Sequence, residues 1–341
     1  MTRLVRRGSH PVGTRQAHCR AVCLLSGLIG VGAGLLHPCA AFAAAANNDV
    51  DSPPTHLSAG RASIAVEWRG PAADVGEAGL LEWIQRSAAI VRGYYGEFPV
   101  SAVIIHVSTI ESDRMGSGRT FGMPQPNIEV SVGRHITAQA LKDDWVLVHE
   151  MIHLALPAVA DEQNWLAEGI ATYVEGIARA QAGNMTEVAL WTEYRDSMPR
   201  GLPQANDRGL DRTHTHARTY WGGALYCLIA DVQIREQTKS RYGLQDALRA
   251  IRRSGAGMAA EWPMERILTT GDAATGTTVL RDLYLAMRDQ PVAPDLDKLW
   301  TELGIRTRDG VVVFDDTARL AAARRAITRL SSNEPLQQPI Q

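Results

Sequence analysis

The apolar positions of the chain fall into runs of distinct period. Residues 61–68 alternate apolar and polar side chains, which predicts a strand. Residues 75–95 place Leu80, Leu81, Trp83, Ile84, Ala88, Ile90 and Val91 at the spacing of one buried helical face. Residues 100–107 are a β-branched run and read as a buried strand. Residues 111–120 are polar and contain glycine, so they read as a loop, and residues 127–132 alternate Ile128, Val130 and Val132 as an edge strand would. A nearly unbroken apolar run then covers 145–156, interrupted only by His149, Glu150 and His153. A second helical pattern follows at 164–175, with Pro157 and Asp161-Glu162-Gln163 supplying the turn between the two.

Beyond residue 183 the pattern is mainly helical. Helices are expected at 185–197, 220–236, 244–253, 278–288 and 296–303, a short strand at 311–314, and a last helix at 315–330. Between the first two of these lies a loop, 199–218, of roughly twenty residues, a length that is usually functional or mobile. The fold class is therefore α+β. A small N-terminal lobe of sheet and helices spans 61–156, and a helical lobe spans 157–330.

The two ends of the chain stand apart. Arg3, Arg6, Arg7, Arg15 and Arg20 precede an apolar run from about 21 to 36, and Ala41-Phe42-Ala43 offers a cleavage site of the A-x-A kind. Residues 1–43 thus read as a secretory signal, with a retained anchor as the other reading of the same run. Residues 44–60 read as a flexible leader and 331–341 as a loose tail. Without residues 1–43 the charge balance changes from 35 basic and 37 acidic residues to 30 and 37, a formal charge of 30 − 37 = −7. An exported, acidic chain excludes nucleic acid as the expected partner, and no stable membrane insertion is expected once the signal is removed. Cys19, Cys23 and Cys39 leave with the signal, so Cys227 remains as a small core residue with no disulfide partner.

The chemistry is concentrated at His149-Glu150-Met151-Ile152-His153, an H-E-x-x-H pattern. On a helix, residues four apart share a face, so both imidazoles can reach one point, as two ligands of a tetrahedral zinc must. Glu150 lies beside that point, where it can take a proton from a water. Glu168, on the second helix, faces the histidines if the two helices run antiparallel, and becomes the third ligand of one Zn2+. Three protein ligands leave a fourth position open, as catalytic zinc sites do and structural ones do not. Thr172, one turn beyond Glu168, is a hydrogen-bond partner for a ligand histidine or a core threonine. His214 and His216, in the long loop, are extra ligands, substrate contacts or solvated side chains.

These residues resemble the gluzincin metallopeptidases, in which a glutamate from a second helix completes the H-E-x-x-H site. The run Trp165-Leu166-Ala167-Glu168-Gly169 is similar to the third-ligand helix of the membrane-alanyl and glycyl aminopeptidase families. Thr219-Tyr220-Trp221-Gly222-Gly223-Ala224-Leu225 resembles their tyrosine helix, usually Y-x-K-G, with Gly222 in place of the lysine. The resemblance covers 145–252, echoes weakly to about 327, and is closer to the glycyl family. It implies a thermolysin-like zincin domain, one zinc, and a peptide or protein substrate. It also implies a role for Tyr220 as donor to the oxyanion of the tetrahedral intermediate. In such a fold the edge strand pairs with extended substrate; the other reading of 127–132 is an ordinary covered edge. The alanyl family binds the substrate's α-ammonium through G-x-M-E-N, whereas this chain has Gly122-Met123-Pro124-Gln125-Pro126-Asn127, so exopeptidase and endopeptidase both stand. A catalytically degenerate scaffold and a non-peptide zinc hydrolase are the alternatives; Glu150 and Tyr220 argue against the scaffold, which needs neither.

Overall fold

The computed structural model describes residues 54–255 and 257–329. The signal expected at 1–43, the tail at 331–341 and all but the end of the leader lie outside these residues. Strands β1 (Thr55–Ala59), β2 (Ala62–Arg69), β3 (Ala102–Ile110), β4 (Met115–Phe121) and β5 (Asn127–Gly133) form one sheet in the order β1-β2-β3-β5-β4. β2, β3 and β5 run parallel, and β1 and β4 pair antiparallel at the two edges. A parallel β2–β3 pair needs a crossover, and α1 (Gly76–Tyr95) supplies it.

Alternation buries one face of the sheet: Ile64, Val66, Val103, Ile105, Val107, Ile128, Val130 and Val132 are all essentially inaccessible. Against this lobe lie α1, the short α2 (Ala138–Lys142) and α3 (Val146–His153), with α3 packed on both β4 and β5. The start of α3 is fixed by Asp144. Its carboxylate accepts from the Val146 and Leu147 backbone N–H groups at 2.9 and 3.2 Å, and from Trp83 Nε1–H of α1 at 2.9 Å. One buried carboxylate thus caps α3 and ties it to α1.

The second lobe is helical: α4 (Asn164–Gln181), α5 (Glu187–Ser197), α6 (Gly223–Thr238), α7 (Leu244–Arg253), α8 (Met264–Thr275), α9 (Val279–Met287), α10 (Leu296–Leu303) and α11 (Ala321–Thr328). A hairpin of β6 (Ile305–Arg308) and β7 (Val311–Phe314) interrupts the last two. Helices α4 and α6 meet backbone to backbone where Gly169 faces Gly223. A Cβ on Gly169 would lie 2.3 Å from the Gly223 carbonyl carbon, and one on Gly223 would lie 2.2 Å from the Trp165 carbonyl oxygen. Only glycine at both positions lets the two backbones touch. Among the described residues, no helix is long and apolar enough to cross a membrane.

Five points of the sequence reading need correction. Residues 55–59, expected within a flexible leader, form β1 and pair with β2 through Leu57 opposite Ile64. Residues 111–120, read as a loop, contain most of β4. Consequently 127–132 is not an edge: β5 is flanked by β3 and β4, and β4 is the outer strand. A helix at 264–275 was not expected, and the last helix begins at Ala321, not at 315.

Candidate metal centre

His149, Glu150 and His153 all lie on α3 and are 3% exposed or less. Their helix is apolar on every side, so three polar groups are buried where water cannot satisfy them, an arrangement that needs a compensating partner. Part of that partner is Glu168 on α4. Its Oε2 stands 3.4 Å from His149 Nε2 and 3.5 Å from His153 Nε2. The two rings meet edge to face with centroids 4.9 Å apart. One donor atom from each of His149, His153 and Glu168 lies within 4.8 Å of the others. Both Nε2 atoms and both Glu168 oxygens are nevertheless buried without a hydrogen bond among the described residues. Two imidazole nitrogens and a carboxylate, converging and left unpaired by hydrogen bonds, match the donor set that zinc selects.

The electrostatics agree. Burial alone would raise the Glu168 carboxyl, but His153 and His149 overcome it and hold the group at about 2, ionised at any working pH. Burial pushes the Glu150 carboxyl up, with His153, His149 and the Thr120 hydroxyl opposing. Glu150 is outside the three-donor set and turns instead toward β4, where its carboxylate accepts from the Thr120 hydroxyl.

Tyr220 is brought to the same place. It sits in a single π-helical turn, Arg218–Gly222, that opens α6, and its ring stacks over His149 at 6.3 Å and 20°. Turns of this kind aim a side chain that a regular helix would not, and are frequent at functional sites. The turn is anchored from behind by buried Arg218, whose Nε pairs with Asp207 at 2.9 Å and whose Nη1 donates to the Gly201 carbonyl at 2.7 Å. The long loop is therefore tied down at its middle and its end. His216, exposed, stacks on Tyr220 at 4.4 Å and 19°, so it belongs to the rim of the site. His214 is exposed, and Thr172 is half-buried with no side-chain hydrogen bond to a ligand histidine among the described residues.

Two supports were missed from sequence. Asp211 accepts from Trp165 Nε1–H and from the Tyr284 hydroxyl, both at 2.7 Å, and so fixes the start of the helix that carries Glu168. Thr120 of β4 donates to the Glu150 carboxylate. Neither forms a local motif: each pair is at least 30 residues apart in sequence.

Among solved structures, the chain is similar to an aminopeptidase N family protein from Idiomarina loihiensis, at 14% identity and a TM-score of 0.57. That likeness covers 74% of this chain and 49% of the other, and it shows a shared fold. An M1 zinc metallopeptidase from Deinococcus radiodurans is also similar, at 15% identity and a TM-score of 0.46 over 71% of this chain and 52% of its own. The chain spans about half the length of the structures it matches. No family model and no curated protein matches it.

Proposed function

We propose that this chain is a zinc-dependent metallopeptidase of the gluzincin type, acting on peptide or protein substrates. The observation that carries the reading is the buried, converging trio of His149, His153 and Glu168, with Glu150 next to it but outside the donor set. The trio would hold one zinc, which when bound supplies Lewis-acid polarisation of a carbonyl and lowers the pKa of a water.

The rest is done by the chain's own side chains. Glu150 accepts a proton from the water that adds to the peptide carbonyl, and returns it to the departing amine. Its burial favours the first role, because a carboxyl raised above its ordinary range holds an accepted proton more firmly, and is a stronger base, than a solvated carboxylate. The Tyr220 hydroxyl donates to the oxyanion of the tetrahedral species, from the side of His149 over which its ring stacks. The outer strand β4 offers unpaired main-chain groups beside Glu150, a place for extended substrate to add as a further strand.

The experiment is turnover of a mixed peptide library by the zinc-loaded protein and by Glu150→Gln. Cleavage by the parent, with a loss on the order of 10² or more in the variant at full zinc content, supports the reading. Zinc binding without peptide turnover would point to the scaffold or to another hydrolase. We propose further that the protein is exported with residues 1–43 removed; N-terminal sequencing of the exported form should begin near Ala44, and an intact Met1 form held in membrane would contradict it.

A further inference from the structure

We infer that Thr120 and Gly118 of β4 are positioning residues that fix the carboxylate of Glu150, so that one of its oxygens is held and the other is presented to the reaction. This rests on the proposed role of Glu150 as base. Gly118 and Thr120 lie opposite Val130 and Ile128 of β5, on the buried face of the sheet that α3 covers. Thr120 is fully buried, and its hydroxyl stands 2.6 Å from Glu150 Oε2 and 2.9 Å from the Glu150 backbone carbonyl. Both neighbours are acceptors, so the hydroxyl proton is given to Glu150, and the shorter contact is to the carboxylate. Glu150 Oε1, by contrast, is buried with no hydrogen-bond partner among the described residues.

The two oxygens therefore have different tasks. Oε2 is pinned by a strand that is itself paired to β5, and Oε1 keeps its lone pairs for the proton it must accept and release. Gly118 makes the arrangement fit. A Cβ at this position would lie 2.5 Å from Glu150 Cγ and 2.9 Å from Oε1, so any side chain here displaces the carboxylate. A hydroxyl donor and a missing side chain, two residues apart on one strand face, address the same carboxylate from two sides. A charged group swinging by about 1 Å from its productive position costs on the order of 10²-fold in rate.

The test compares Thr120→Val, Thr120→Ser and Gly118→Ala with the parent, in kcat, KM, zinc content, melting temperature and crystal structure. Thr120→Val should lower kcat about 10- to 100-fold with KM and zinc stoichiometry nearly unchanged, and Thr120→Ser should recover most of the loss. Gly118→Ala should lose kcat similarly although the Thr120 hydroxyl donor is still present. In the crystal, the Glu150 carboxylate should rotate in Thr120→Val and shift in Gly118→Ala, and stay in place in Thr120→Ser. An unmoved carboxylate in Thr120→Val, or a Thr120→Ser variant as impaired as Thr120→Val, overturns the inference. Failure of the underlying reading looks different: Glu150→Gln would then turn over normally, while the crystallographic position of the carboxylate still decides what Thr120 does.

Discussion

Replacing Gly223 by alanine tests how the two halves of the site are held together. The added Cβ would land 2.2 Å from the Trp165 carbonyl oxygen and 2.7 Å from Gly169 Cα, where ordinary contact begins at 3.4 Å. It falls about 1.2 Å short of that distance, and its neighbours are backbone, so no side chain can swing aside. The helices must part by roughly 1 Å, a strain of about 3 kcal/mol at the upper end of overpacking costs. Alanine returns about 1 kcal/mol through better helix propensity. The net loss is about 2 kcal/mol, or a fall of roughly 4–8 °C in Tm at 2–4 °C per kcal/mol. The displacement also separates Tyr220, at the start of α6, from α3 and α4, which hold the metal donors among themselves. Gly223→Ala should thus keep its zinc while kcat falls on the order of 10²-fold. Calorimetry, zinc analysis and kinetics on one cleaved peptide measure all three. An unchanged or raised Tm together with normal kcat would refute the claim that backbone contact sets the site.

Tyr220→Phe removes only the hydroxyl, so kcat should fall about 10²–10³-fold with little change in KM, zinc content or Tm, whereas unchanged kcat would return the ring to a packing role. Glu175, fully buried on α4, has its carboxyl pushed up to about 8 by burial, with Glu193 adding to the shift and Arg179 opposing it. A folded-state value above the unfolded one, near 4.3, means that stability from this group is complete below about pH 4 and is lost as pH rises through 8. Denaturant midpoints measured across pH 4–9 should show this decline in the parent and a flatter profile in Glu175→Gln; identical slopes would count against the buried acid.

Helix α3 was legible because two signals coincide in it. An all-apolar run of this length needs burial, and three polar residues inside such a run need a purpose. Glu168 was legible for the same reason, on a helix with its own period. β4 was not. Met115-Gly116-Ser117-Gly118-Arg119-Thr120 has two glycines and little β-branched character, the composition of a loop. Gly118 is there because Glu150 occupies the space a side chain would take, so the feature that hid the strand is the one that serves the site. The alternation of Ile128, Val130 and Val132 marks a strand with one buried face, but alternation reports faces and not neighbours, and β5 has a partner on each side. α8 was hidden by Thr269, Thr270 and Gly271. It is helical because Ile267 and Leu268 pack into the core beside α7 and α9, which local propensity does not register. The π-turn at Tyr220 left no mark beyond Gly222-Gly223, since the buried Arg218–Asp207 pair that anchors it spans a loop.

The central claim is that His149, His153 and Glu168 form one zinc site with Glu150 beside it as a base. The most direct measurement is anomalous diffraction at the zinc edge from crystals of the zinc-loaded protein, paired with metal analysis of Glu168→Ala. The account predicts one zinc per chain, bounded by His149, His153 and Glu168, with Glu150 off the metal, and a large loss of zinc affinity in the variant. A metal ligated through Glu150, a peak elsewhere in the molecule, or Glu168→Ala binding zinc as tightly as the parent would contradict it.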